Sequence, residues 1–298
     1  MIACHHQRPN GFTQVELIVV IAILATLAAL AVGAYSRIQQ GKDQSATETT
    51  LAKINSILDV RYAAVVDQAR KLPIPSPLLT YCDNDNDRAR VVLIYAHLTV
   101  NFPTTKAEAS ADIVIHPVGA GPLPPLTIAR HLKAFDMVAE AGTPEQQSAA
   151  CLYAALTGTS DAGAAGLDQI VVNTPAGRAF ADAWGTPIAF TRLTYAAELD
   201  SPPWSKGTAP SKDPVDPLGR LPGWTKTKLG DFWSKVAGKH LNYSGFPATY
   251  PGPGRNWVMS AISAGYDGEF NTEFNTLLTD PTNLLSFRLR REGQKAGN

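Results

Sequence analysis

The residue placed most pointedly for chemistry is Glu16, an acid at the edge of an apolar run, Leu17–Ala34, that holds no charge and one hydroxyl, Thr26. A charged side chain at the centre of a bilayer costs on the order of 3 kcal/mol on insertion scales, so Glu16 calls for a counter-charge. Cutting the chain between Gly11 and Phe12 would supply one. The new α-amino group then lies four residues from Glu16, about one helical turn away and in the same apolar layer. Within one subunit the pair forms only loosely. Between staggered subunits it becomes a register device, an arriving chain neutralising its amine on the Glu of a neighbour already in place.

Other reactive side chains are scattered. Cys4 lies ahead of the proposed cut, leaving Cys82 and Cys151, which either pair as a disulfide outside the cytoplasm or remain two separate buried thiols. His97, His116, His131 and His240 are isolated from one another, with no HExxH and no Cys-His spacing suited to zinc. No GxSxG elbow, Walker loop or strand-borne GxGxxG gives nucleophilic, phosphoryl or dinucleotide chemistry a handle, so the expectation is no enzyme. The acidic run Asp83–Asp87 alternates Asp with Asn but lacks the Gly and distal Glu of an EF-hand loop, and reads as a solvated turn. Lys plus Arg and Asp plus Glu both number 26, and this zero net charge offers no basic field for a nucleic-acid backbone.

The element that must position Glu16 is a helix. At about 1.5 Å per residue the 18 residues Leu17–Ala34 cover roughly 27 Å, close to a hydrocarbon core. Arg8 in the short lead keeps that lead cytoplasmic and sends the remainder across the membrane. A polar stretch follows, and helical periodicity resumes with Leu51, Ile54, Leu58, Tyr62, Val65, Ala69 and Leu72, while Lys53, Asp59, Asp67 and Lys71 fall elsewhere. Pro73 and Pro75 end that helix, and Gly33 and Gly41 are its weak points.

Downstream, strands are expected at 90–100, 111–118, 168–174, 186–193 and 256–263. Helices are expected at Leu126–Gly142 and at Thr143–Gly158, the latter with Thr143 as N-cap, Pro144 at its first position and Gly158 as C-cap. Pro-rich and Gly-rich stretches, such as those at 117–126 and 202–224, read as ordered loops. The 45% hydrophobic content is enough for one good-sized core or two small ones. The fold class expected is α+β: a long amino-terminal helix packed on an antiparallel sheet, with large inserted loops and helices.

The segment GFTQVELIVVIAIL, Gly11–Leu24, closely resembles the processing signal of type IV prepilins and type II secretion pseudopilins. The resemblance implies cleavage after Gly11 by a prepilin peptidase/methyltransferase, methylation of the Phe12 nitrogen, and an assembly role for Glu16. Two later motifs are similar to those of the major pseudopilin: DAWGTPIAF at Asp182–Phe190, like that family's DPWG turn, and ISAGYDGEFNT at Ile262–Thr272, like its SxGxDG loop. Physically, Asp182 can cap the first turn, Trp184 can cover the sheet end and Gly185 can take positive φ. The related loop often holds calcium, for which Asp267, Glu269 and Asn271 alternate oxygen-bearing side chains around Gly268. Order and content match the family, whereas the spacing implies large insertions.

The organisation that follows is a leader at 1–11, a transmembrane and assembly helix at 12–36, an amphipathic continuation at 37–72 and an exported pilin-like domain at 73–298. The implied function is a structural subunit of a type IV pilus or secretion pseudopilus. A minor tip subunit or anchored binding domain is the alternative, and an anchored enzyme is the remaining one. Partners implied are the peptidase, other pilin or pseudopilin subunits, an inner-membrane assembly platform and the lipid bilayer, with no nucleic acid. No cofactor is required, calcium being the one candidate. The location implied is a single-pass cell membrane protein with its carboxy-terminal domain outside the cytoplasm. A conventional secretory signal cut near Ala31–Ala34 fits poorly, because the apolar run is long and begins with an acid. A plain single-pass anchor would need neither the Gly-Phe junction nor Glu16.

These readings separate on one measurement. Mass spectrometry of the purified amino terminus should find the chain beginning at methylated Phe12, and Gly11→Ala should accumulate precursor in the membrane. A terminus near Ala34, or an intact Met1, would remove the processing assignment.

Overall fold

The computed structural model describes residues 14–115, 126–128, 133–158, 171–194, 199, 213–224, 258–270, 282–286 and 288–289. The chain divides into two compact units, residues 1–43 and 44–298, with the boundary inside the first helix, α1 (Gln14–Lys71). Helical assignment continues through both Gly33 and Gly41. In the first unit the described residues are helical throughout, and the apolar stretch is long and apolar enough to cross a membrane.

The second unit mixes helices with antiparallel sheets. Its share of α1 buries Leu51, Ile54, Leu58, Val66 and Ala69, while Lys53, Asp59, Asp67 and Lys71 stay exposed, as an amphipathic stripe requires. Two short helices, α2 (Ser76–Tyr81) and α4 (Lys106–Ser110), flank α3 (Asn86–Asn101). Later come α5 (Pro144–Thr157) and single 3-10 turns at Lys133–Met137 and Gly265–Asp267. Among the described residues the strands form three antiparallel sheets: β1 (Ile113–Ile115) with β2 (Leu126–Ile128), β3 (Val171–Thr174) with β4 (Gly177–Phe180), and the order β5-β6-β7 for Ala189–Thr194, Val258–Ser263 and Leu284–Leu285. On this last sheet Ser286 Oγ donates to Asn55 Oδ1 of α1 (3.2 Å) and accepts from Ala261 N–H of β6 (3.0 Å).

Two sequence expectations are corrected. Residues 90–100 form α3, not a strand. Asp85 caps that helix by accepting from Arg88 N–H at 3.0 Å, and the six residues Val91–Ala96 are consecutively buried. An apolar, β-branched run buried on every side carries no alternation or stripe, so burial pattern alone does not tell strand from core helix. Residues 126–142 form no continuous helix: Leu126–Ile128 pairs with Ile115–Ile113, and among the described residues that follow, Lys133–Met137 turns as a 3-10 helix. Strand β1 needs a partner for its backbone N–H and C=O groups, and Leu126–Ile128 supplies it.

Locally encoded ends hold as read. Thr143 and Gln146 form a reciprocal capping box on α5, Pro144 stands in its first turn and Gly158 closes it. The Asp83–Asp87 run is a turn in its first part, with Asp83 and Asn84 in left-handed conformation at φ 60° and 59°, whereas Asp85 caps α3 and Asn86 and Asp87 begin it.

The disulfide between Cys82 and Cys151 is not formed. Cys82 closes α2 and Cys151 lies within α5; both thiols are buried and are not bonded to one another. Each is packed as a small apolar side chain in the core, which is where its helix places it. Burial, then the charge of Glu108, pushes the Cys151 thiol up to about 12. Since the thiolate is the reactive form, alkylation of native Cys151 at pH 8 should be slowed roughly a thousandfold by ionisation alone. Peptide mapping after maleimide treatment should find both cysteines unmodified in native protein and fully modified in about 6 M guanidinium without reductant. A disulfide-linked peptide pair would contradict this packing.

Candidate functional site

Two regions carry the residues singled out in the sequence. The first is the apolar part of α1. Gly11 and Phe12 lie outside the described residues. Glu16 stands in the first turn of α1, where the exposed N–H groups and the helix dipole favour an acid. Beyond it Leu17, Ile18, Val19, Val20 and Ile21 are consecutive and all exposed, and every large apolar side chain from Val15 to Ile38 is 45–71% exposed. No face of this stretch is covered by its own unit. The two aliphatic hydroxyls are turned inward on the helix: Thr26 Oγ1 donates to Ile23 O (2.8 Å) and Ser36 Oγ to Gly33 O (3.0 Å). The helical backbone and these two hydroxyls thus find their partners within the segment, as an environment without water demands.

The second region is where the two later motifs meet. Asp182 ends the β4 hairpin side and Ser263 ends β6, 81 positions apart, and Ser263 Oγ donates to Asp182 Oδ2 at 2.7 Å. The other carboxylate oxygen, Oδ1, accepts from the N–H groups of Trp184 (3.0 Å) and Thr186 (2.8 Å). Gly185 sits at φ 86°, the left-handed turn position expected for it, while Trp184 is half-buried. Ala183 N–H donates to Thr47 Oγ1 of α1 at 3.0 Å, so the turn is tied to the helix as well as to the sheet. Burial pushes the Asp182 carboxyl above its ordinary value, and its hydrogen bonds from Ser263 and the turn amides oppose that push. The site is a three-way tie between α1, the turn and β6.

Past Ser263 the loop turns on Gly265 at φ 75°, where a Cβ would come within 2.1 Å of Thr282 O, so only glycine allows this approach. Thr282 Oγ1 donates to Asp267 Oδ2 (2.9 Å) and Glu269 N–H to Asp267 Oδ1 (3.1 Å). Of the three residues proposed for calcium, Asn271 lies outside the described residues. Asp267 and Glu269 are both exposed. These two do not by themselves make a cage of the roughly six to eight oxygens calcium takes, and no cluster of three acidic, histidine or cysteine side chains able to hold a metal occurs among the described residues.

Two buried polar clusters escaped the sequence reading. Arg192 of β5, 2% exposed, donates from Nη2 to Glu108 Oε1 (2.7 Å), and from Nη1 to Glu108 Oε2 (3.2 Å) and Phe102 O (2.7 Å). The available signal was Thr105-x-x-Glu108, an N-cap pattern in which Thr105 Oγ1 does accept from Glu108 N–H at 3.1 Å. Its carboxylate, however, reaches Thr104 and Arg192. The second cluster joins Tyr95 of α3 to Asp213, with no signal at all across 118 positions.

No protein-family model, curated protein or solved structure matches the chain.

The tie at Asp182 has a measurable strength. Ser263→Ala leaves a buried carboxylate one donor short and should lower unfolding stability by about 1.5–3 kcal/mol. In a double-mutant cycle with Asp182→Asn, read by urea unfolding of the purified protein, the coupling should exceed about 1 kcal/mol. Additive effects would mean that the contact contributes nothing of its own.

Proposed function

We propose that the chain is a type IV pilin-like subunit, inserted in a membrane through the apolar part of α1, trimmed before Phe12 and assembled through that helix into a pilus or type II secretion pseudopilus. The observation that carries the reading is the stretch Leu17–Ala34, uncovered on every face and preceded by an acid in the first turn. Its supports are the Gly11–Phe12 junction in the sequence and the meeting of the Asp182 turn with the Ser263 loop, the two motifs that resemble pseudopilins. On this reading the single span leaves residues beyond it outside the cytoplasm, and the partners are the processing peptidase/methyltransferase, further subunits, the assembly platform and lipid. No catalytic step is assigned to the chain.

Glu16 does the sorting in this proposal. An unassembled subunit holds an acid at the edge of its apolar segment, and the amine of a neighbouring Phe12 neutralises it on assembly. The second reading, a minor subunit or anchored domain that binds a ligand, draws on the size of the unit 44–298, which is harder to repeat in a dense fibre than at a tip. Calcium on Asp267, Glu269 and Asn271 would add one more tie to the loop that Thr282 closes. Melting in excess calcium and then in excess chelator measures that tie, an unchanged midpoint leaving closure to the protein alone.

Replacing Glu16 separates assembly from anchoring. Glu16→Ala should insert as well as the parent or better, since an apolar helix enters the bilayer more readily. It should nevertheless be depleted at least severalfold from the sheared filament fraction, and Glu16→Asp should recover only part of the loss because its side chain is shorter. Equal filament incorporation in all three would move the protein to the anchored binding domain.

A further inference from the structure

Residues Asp213–Trp224 lie against α2 and α3, and the two ends of this segment are held by different chemistry. At the later end the contacts are charged but open to solvent: Arg220 pairs with Asp87 of α3 at 3.0 Å, and Arg88 Nε donates to Arg220 O at 3.1 Å. Trp224 Nε1–H donates to Asp83 Oδ2 at 3.0 Å, and its ring meets Tyr81 edge-on with centroids 5.2 Å apart. At the earlier end two carboxylates are buried within four positions. Asp213, 2% exposed, accepts from Tyr95 Oη and from Val215 N–H (2.8 Å). Asp216 accepts from the N–H groups of Arg220 (2.7 Å) and Leu221 (2.8 Å), which shapes the turn.

Among the described residues, Tyr95 from α3, Tyr62 from α1 and Asp216 from the segment itself act on Asp213, while Arg88 and Arg220 act on Asp216. Burial and the neighbouring Asp216 both disfavour a charge on Asp213, and the hydrogen bonds from Tyr95 and Val215 favour it. Burial wins, and the carboxyl is pushed up from 3.8 to about 6.

We propose that Asp213–Trp224 is a proton-tightened strap, seated most firmly on α2 and α3 when Asp213 carries a proton and released ahead of the rest of its unit as that proton leaves. The strap is independent of the assembly reading. A carboxyl whose docked value lies above its free value holds its proton better when docked. Docking is therefore firmest below about pH 4, weakens as pH rises through about 6 and is constant above that. The shift of about two units corresponds to a roughly 100-fold change in the undocking equilibrium.

Hydrogen exchange of the full chain in detergent tests this, with protection corrected for the intrinsic exchange rate between pH 4 and 7.5. Strap amides, among them those of Val215, Arg220, Leu221 and Trp224, should lose up to about 100-fold in protection across that range while α5 changes little. Asp213→Asn keeps the shape and an acceptor without a titrating proton, and should flatten the slope. Identical slopes in both proteins, or strap and α5 losing protection together, would overturn the proposal. Should that variant fail to fold, Tyr95→Phe removes a donor to the charged form and must move the midpoint upward. A midpoint that stays in place or moves down would overturn it equally.

Discussion

An apolar surface that its own unit cannot cover is the constraint on which everything else in this protein depends. Eleven large aliphatic side chains between Val15 and Val32 stand exposed. At about 2 kcal/mol for each one removed from water, their burial is worth on the order of 20 kcal/mol. A folded domain is typically stable by only about 5–15 kcal/mol, so the surface left open here is large on the scale of folding itself, and in the function proposed above lipid and neighbouring subunits are what cover it. The same requirement explains why Thr26 and Ser36 spend their hydroxyls on their own helix.

Within the unit 44–298 the organising task is different, because α3 and α5 are buried on nearly all sides and leave no polar face of their own to solvent. Polar groups carried into such a core must find partners there. Ser148 of α5 meets this demand at Phe190, whose N–H donates to the hydroxyl at 2.9 Å and whose carbonyl accepts from it. Arg192 with Glu108, and Asp213 with Tyr95, meet it by pairing across layers. The Asp182 turn joins these as the point where helix, hairpin and sheet are tied together.

What was legible in the sequence has a common character: each feature depends on residues within about one or two helical turns. The N-cap at Thr143, the positive φ at Gly185, the turn that begins at Asp83 and the stripe Leu51–Ile54–Leu58 all follow from neighbours a few positions away. Where local preference was ambiguous the reading went wrong. The β-branched run at 90–100 suits a strand as well as a helix, and Asp85 with the demand for all-round burial chose the helix. Leu126–Ile128 was drawn into pairing with β1 although the residues after it look helical.

By itself, then, the sequence determined an apolar segment of membrane-crossing length with an acid at its edge, an amphipathic stripe after it and the ends of α5, because hydrophobic period and capping are properties of short stretches. Only the tertiary structure decided that the described strands fall into three sheets, that Cys82 and Cys151 are two free buried thiols, and that Asp182 meets Ser263 and Arg192 meets Glu108. Those partners are 81 and 84 positions apart. A side chain's type and spacing carry no distance across such a gap. The pairing is set by how the intervening helices pack and by the cost of leaving a buried charge or hydroxyl without a partner.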